Sequence, residues 1–153
     1  MMTSASKVIA KLKGKTLATA ESCTGGAIGA ALTAVPGASK VFKGGIISYC
    51  NEVKEKALGV SPEVLSFYGA VSAIVAEGMA KGARDALETD IAVSVTGLAG
   101  PDGDEYGNPV GTVFIGYADE KVCTSRKFLF AGSRDEVRKE AVVAALNIIL
   151  EYA

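Results

Sequence analysis

A short apolar strand-like stretch, Thr16 to Ala20, runs through Glu21-Ser22-Cys23-Thr24-Gly25-Gly26 into a helix of small residues that stops at Pro36-Gly37. This strand, turn and helix leave few folds open. A strand entering a helix through so tight a turn is the opening unit of a layered α/β domain, with the turn at the carboxyl edge of the sheet. The helix, read over 24–34, begins with amides that lack intrahelical partners, and two glycines let a ligand oxyanion approach them. Ser22 and Cys23 stand beside those donors as candidate nucleophiles.

The rest of the chain continues the pattern. Residues 4–13 carry Val8, Ile9 and Leu12 at helical spacing, and 41–50 read as a second strand interrupted at Gly44-Gly45, with a charged helical turn over 51–58. Ser61-Pro62 opens another helix, and one more runs from near Ser72 to Leu87. Ile91 to Thr96 is β-rich and ends in a glycine-rich loop, while 111–118 and 121–130 pair as a hairpin about Asp119-Glu120. Ser133 and Glu136 form a capping box for a last helix with Val137, Ala141, Ala144, Ala145, Ile148 and Tyr152 on its inner stripe. Helices flanking β-runs in this order predict a three-layer α/β/α sandwich around a mixed β-sheet, as a single domain over 1–153.

Composition narrows the function. Sixteen basic and 17 acidic side chains nearly cancel, which gives no field for a polyanion, so nucleic acid is not an expected partner. Three cysteines without Cys-x-x-Cys spacing point to neither a disulfide framework nor a thiolate metal site, and no apolar run approaches a membrane span. A cytoplasmic chain that needs no metal or cofactor is the reading. The 153 residues contain no histidine, which excludes Ser-His-Asp and Cys-His catalysis. A nucleophilic serine must then use a lysine, a terminal amine or a carboxylate as base. Ser48-Tyr49-Cys50-Asn51-Glu52-Val53-Lys54 supplies a lysine just past a strand. A lysine titrates near 10.4 in water, so keeping it neutral at pH 7 takes roughly 4 kcal/mol, most of which burial must supply, with the Tyr49 hydroxyl as a possible relay.

Four stretches occur in one order: Ala20-Glu21-Ser22-Cys23-Thr24-Gly25-Gly26, Tyr49-x-Asn51-x-x-Lys54, Val95-Thr96-Gly97-x-Ala99-Gly100-Pro101 and Pro109-Val110-Gly111-Thr112-Val113. Together they resemble the C-terminal domain family of the competence/damage-inducible protein CinA, over roughly residues 7 to 150. The resemblance implies a nicotinamide-nucleotide amidohydrolase, converting nicotinamide mononucleotide to nicotinic acid mononucleotide and ammonia in pyridine-nucleotide salvage. It implies no metal. It places the catalytic serine on Ser22, the tyrosine on Tyr49 and the lysine on Lys54. The backbone of Thr24, Gly25 and Gly26 would hold the oxyanion, and Asn51, Thr96 and Gly97 would line the pocket. The phosphate is assigned either to Arg134 and Arg138, one turn apart on the last helix, or to the 97–103 loop. A homo-oligomer is expected from the resemblance alone, and a stand-alone enzyme from the lack of the larger relatives' N-terminal domain.

The loop after Pro101 departs from the family pattern, with Asp102-Gly103-Asp104-Glu105-Tyr106 where glycine and serine are usual. Its carboxylates would repel a phosphomonoester unless they point outward or the substrate differs. Simpler roles stand beside the chemical ones: Ser22 or Asn51 as a helix cap, Cys23 as packing, Glu21 as an acceptor for backbone or lysine, Arg134 and Arg138 as a solvated face. A non-catalytic nucleotide-binding or regulatory module of the same fold is the alternative function. A phosphate-cradling kinase is weaker, because Gly-x-x-x-x-Gly-Lys-[Ser/Thr] is absent.

Overall fold

A computed structural model describes residues 2–153. Its five strands are β1 (Leu17–Glu21), β2 (Phe42–Ile47), β3 (Ile91–Gly97), β4 (Thr112–Ala118) and β5 (Cys123–Leu129). The six α-helices are α1 (Ser4–Lys11), α2 (Ala27–Thr33), α3 (Asn51–Leu58), α4 (Pro62–Tyr68), α5 (Ala73–Leu87) and α6 (Arg134–Tyr152). Strand order is β2-β1-β3-β4-β5: β1 pairs parallel with β2 and β3, and the β3–β4 and β4–β5 pairs are antiparallel. The sheet is mixed, with helices on both faces.

Alternation along the strands sorts the layers. Leu17, Val93, Val95, Ile115 and Tyr117 pack under α1, α2 and α6, through Val8, Ile28, Leu32, Val137, Ala141 and Ile149 among others. The opposite face is built of Ala18, Ala20 and Ala92 and meets Leu58 of α3, Leu65 of α4 and Val75, Met79 and Ala83 of α5. Its small residues let α5 come close. A β-carbon on Gly116 would strike the Ala76 carbonyl, which already accepts from the Ser94 hydroxyl at 2.5 Å. All five residues of β1 are buried because neighbours pair on both edges and helices cover both faces.

Three local differences from the sequence reading have physical causes. β2 continues through Gly44-Gly45, because Gly45 lies against the Thr19 side chain, where a β-carbon does not fit. The charged turn over 51–58 is a full helix, so three helices join β2 to β3, the Ser61 hydroxyl accepting from the Val64 amide to start α4. Tyr152 is not on a fully buried stripe; it stays 37% exposed while stacking on buried Tyr117 at a centroid distance of 5.3 Å. The predicted capping box is present, with Glu136 and Ser133 each bonding the other's backbone amide. No helix among the described residues is long and apolar enough to cross a membrane.

Candidate active site

Strands β1, β2 and β3 end together at Glu21, Ile47 and Gly97, with β1 in the middle and its partners reached by separate crossovers. Such a carboxyl edge is where open α/β sheets hold ligands. Here Ser22, Tyr49, Asn51, Lys54, Thr96, Gly97, Asp102 and Arg134 border one cavity of about 280 Å³ with Cys23, Ala70, Val71 and residues 98–100. A cavity of about 300 Å³ at Lys15, Arg84 and Asp119 is lined by no serine or cysteine.

Ser22 follows β1 directly, its amide tied to the Val95 carbonyl at 3.0 Å. Lys54 projects inward from α3 and is 1% exposed. Its amine lies 3.0 Å from Ser22 Oγ and donates to the Ser48 carbonyl at 2.7 Å. Burial pushes the Lys54 pKa down, and the nearby Cys50 and Cys23 sulfurs oppose this. No carboxylate pairs with Lys54 among the described residues. A neutral Lys54 can accept the Ser22 proton while its own N–H stays on Ser48, the arrangement a general base needs. Cys23 is buried, and desolvation raises its thiol to about 11, which suits packing rather than attack.

Tyr49 sits elsewhere than the expected relay. Its side chain is 61% exposed, and the hydroxyl accepts from Arg134 Nη2 at 3.1 Å rather than bonding Lys54. Arg134 Nη1 donates to the Gly100 carbonyl at 2.6 Å, so tyrosine and arginine form one rim of the cavity. The expected Arg134/Arg138 fork is split. Arg138 donates from Nε to the Cys23 carbonyl at 3.0 Å and from Nη2 to the Thr24 carbonyl at 3.1 Å, behind the turn and off the cavity wall. Asn51 is the first residue of α3 and lies on the wall, the cap position being Cys50. Thr96 donates to the Ala70 carbonyl at 2.9 Å, which fixes the wall there.

The amides of Thr24, Gly25 and Gly26, the expected oxyanion donors, lie off the cavity wall. The helix begins later, at Ala27, after two left-handed glycines at φ 60° and 104°. Glu21 reaches back to accept from the Ile28 and Gly29 amides at 2.8 and 3.0 Å and from the Thr24 hydroxyl at 2.7 Å. Gly25 N–H is held by the Ser22 carbonyl at 3.1 Å, and none of these three residues borders the cavity. The amides of Cys23, Ala99 and Gly100 are among those on the wall that make no hydrogen bond among the described residues. The reading of Glu21 as a backbone acceptor anticipated the kind of bond but not its partners, because a carboxylate six residues ahead of its helix follows no capping rule.

In the acidic loop, Asp104 is spent on its own turn, accepting from the Tyr106 and Asn108 amides and the Asn108 side chain. Tyr106 donates to the Ser66 carbonyl at 2.6 Å. Asp104 and Glu105 border a neighbouring groove, so Asp102 is the one carboxylate of the loop on the cavity wall.

The chain is 50% identical over 139 residues to a CinA-like protein of Geobacter sp. (strain M21), covering 91% of this chain and 34% of that one. It thus spans about a third of the length of the curated relatives it matches. The crystal structure of competence/damage inducible protein CihA from Agrobacterium tumefaciens superposes with a TM-score of 0.93 at 36% identity, over 97% of this chain and 92% of that one. A CinA superfamily protein from Escherichia coli gives 0.90 at 36% identity, over 96% and 84%. A profile of the CinA C-terminal domain matches residues 2–153, and the chain belongs to that family.

Proposed function

We propose that this chain is a serine amidohydrolase acting on nicotinamide mononucleotide, with Ser22 as nucleophile and Lys54 as base. The observation that carries the reading is the 3.0 Å approach of a buried, charge-unpaired lysine to a serine on a cavity wall. A histidine-free chain has few other ways to activate a hydroxyl.

In this mechanism the Ser22 oxygen attacks the carboxamide carbon as its proton passes to neutral Lys54. The tetrahedral oxyanion is held by the unoccupied amides of Cys23 and the 99–100 loop, the first being the amide after the nucleophile. Lys54 then returns the proton to the departing nitrogen. Ammonia leaves, and an acyl-Ser22 ester remains. Lys54 next takes a proton from water as the water attacks the ester, and returns that proton to Ser22 Oγ as the C–Oγ bond breaks, releasing nicotinic acid mononucleotide and regenerating the serine and the neutral lysine. The 5′-phosphate lies at the Arg134–Tyr49 rim, the cationic side of the cavity mouth.

Incubation of the parent and Ser22→Ala chains with nicotinamide mononucleotide, following ammonia and the acid product by chromatography, tests the reading. Turnover by the parent that falls at least about a thousandfold in Ser22→Ala is expected for loss of a nucleophile. A folded parent that binds the nucleotide without releasing ammonia supports the regulatory module instead.

A further inference from the structure

Glu21 is 1% exposed, has no cation partner among the described residues and does not border the cavity. Four donors converge on its carboxylate. Oε1 accepts from Thr24 Oγ1 at 2.7 Å and the Ile28 amide at 2.8 Å; Oε2 accepts from the Gly29 amide at 3.0 Å and Thr19 Oγ1 at 3.4 Å. A buried carboxylate is costly unless its oxygens are fully hydrogen-bonded, and helix-start amides are favourable partners for its charge.

What the carboxylate holds is the nucleophile turn. The α2 cap position is Gly26, which has no side chain to close the helix, and Gly25 and Gly26 make the turn intrinsically loose. Thr24, two residues past Ser22, is pinned to Glu21 by its hydroxyl. The Glu21 main chain reaches the other half of the site: its carbonyl accepts the Ser48 amide at 2.8 Å, and the Ser48 carbonyl anchors Lys54 at 2.7 Å. One residue therefore joins the turn that carries the nucleophile to the segment that carries the base.

We infer that Glu21 is a positioning residue whose buried carboxylate, standing in for the missing cap of α2, keeps Ser22 Oγ within hydrogen-bond reach of Lys54. This rests on the reading of Ser22 as the nucleophile. An ordinary helix cap would lower stability and leave the chemistry of the folded protein alone. A positioning residue that touches no substrate lowers kcat and leaves KM.

The test compares Glu21→Gln, Thr24→Val and Thr24→Ser with the parent in the full chain, below the unfolding temperature of each. The measurements are kcat and KM for nicotinamide mononucleotide, and the rate at which phenylmethanesulfonyl fluoride sulfonylates Ser22, read by peptide mass. Glu21→Gln is expected to lower kcat and the labelling rate by about tenfold or more with KM within about twofold, as displacement of a reacting group does. Thr24→Val falls in the same direction, and Thr24→Ser, which keeps the hydroxyl, restores the rate. Folded Glu21→Gln with parental kcat and labelling overturns the inference, as does a rise in KM at constant kcat. Should Glu21→Gln not fold, the Thr24 pair decides by the same readouts. A parent whose Ser22 is labelled but which leaves the nucleotide intact sinks the assigned substrate, and the labelling ratios still decide the role of Glu21. A parent whose Ser22 resists the reagent overturns both.

Discussion

Lys54 is the residue on which the proposed chemistry turns, and its burial makes two measurements diagnostic. Its folded pKa lies below the ordinary 10.5 of the unfolded chain because burial disfavours the ammonium. Between those two values the unfolded chain binds more protons, so stability rises with pH across that window and levels off above it. Lys54→Met removes this dependence: its unfolding free energy, followed in denaturant at several pH values, is expected to exceed the parent's most at neutral pH and least in alkali. The same substitution is expected to abolish turnover. In the parent, kcat/KM is expected to climb with pH to an inflection below 10.5, and an activity that ignores Lys54→Met sinks the assignment. Tyr49 makes the opposite prediction. Its hydroxyl serves Arg134, so Tyr49→Phe should raise KM several-fold, roughly 1 kcal/mol of binding, with kcat and the lysine inflection unmoved. A kcat loss alone would put the tyrosine back beside the lysine. The serine and lysine were legible in the sequence because a chain without histidine has few bases; the tyrosine's partner was not, since Arg134 lies far along the chain.

At the scale of elements, α6 shows how one helix contributes stability at one point and geometry at another. Ser133 closes its first turn in a capping box, so Ser133→Ala is expected to lose about 1 kcal/mol of stability with activity retained in the folded protein. Arg138, one turn further on, donates to the Cys23 and Thr24 carbonyls and packs beside Gly25. Arg138→Met leaves those carbonyls short of donors, and is expected to lose about 1–3 kcal/mol together with kcat, with KM little changed. Chemical denaturation and steady-state kinetics on both variants check the contrast; a selective KM increase in Arg138→Met would return it to phosphate binding. The capping box was readable because its partners are three residues apart. Arg138 was not, because its acceptors are main-chain carbonyls of a turn more than a hundred positions away.

For the whole molecule, the layers and the site are one construction. The carboxyl edge of β1, β2 and β3 sets the place, α3 brings the lysine from one face, and α6 brings both arginines from the other. A ligand bridging these parts should stabilise the folded state as a unit. With the nucleophile removed in Ser22→Ala, nicotinamide mononucleotide at a hundredfold excess over its Kd is expected to add about 2.7 kcal/mol, a rise of several degrees in Tm. An unmoved Tm at millimolar nucleotide would argue against binding.

By itself the sequence determined the three-layer class, the position of most elements, and Ser22 with Lys54 as a candidate pair for a histidine-free chain, which the fold brings within 3.0 Å. These are short-range facts, because periodicity, caps and composition act within a turn or two of the residue that shows them. Only the tertiary structure decided that the start of α2 is occupied by Glu21, that the amides of Cys23 and the 99–100 loop stay unbonded on the cavity wall, and that the two arginines divide between cavity rim and turn. The physical reason is that a hydrogen-bond donor goes to whichever acceptor the packed layers bring within about 3 Å, and that acceptor need not be near it in the chain.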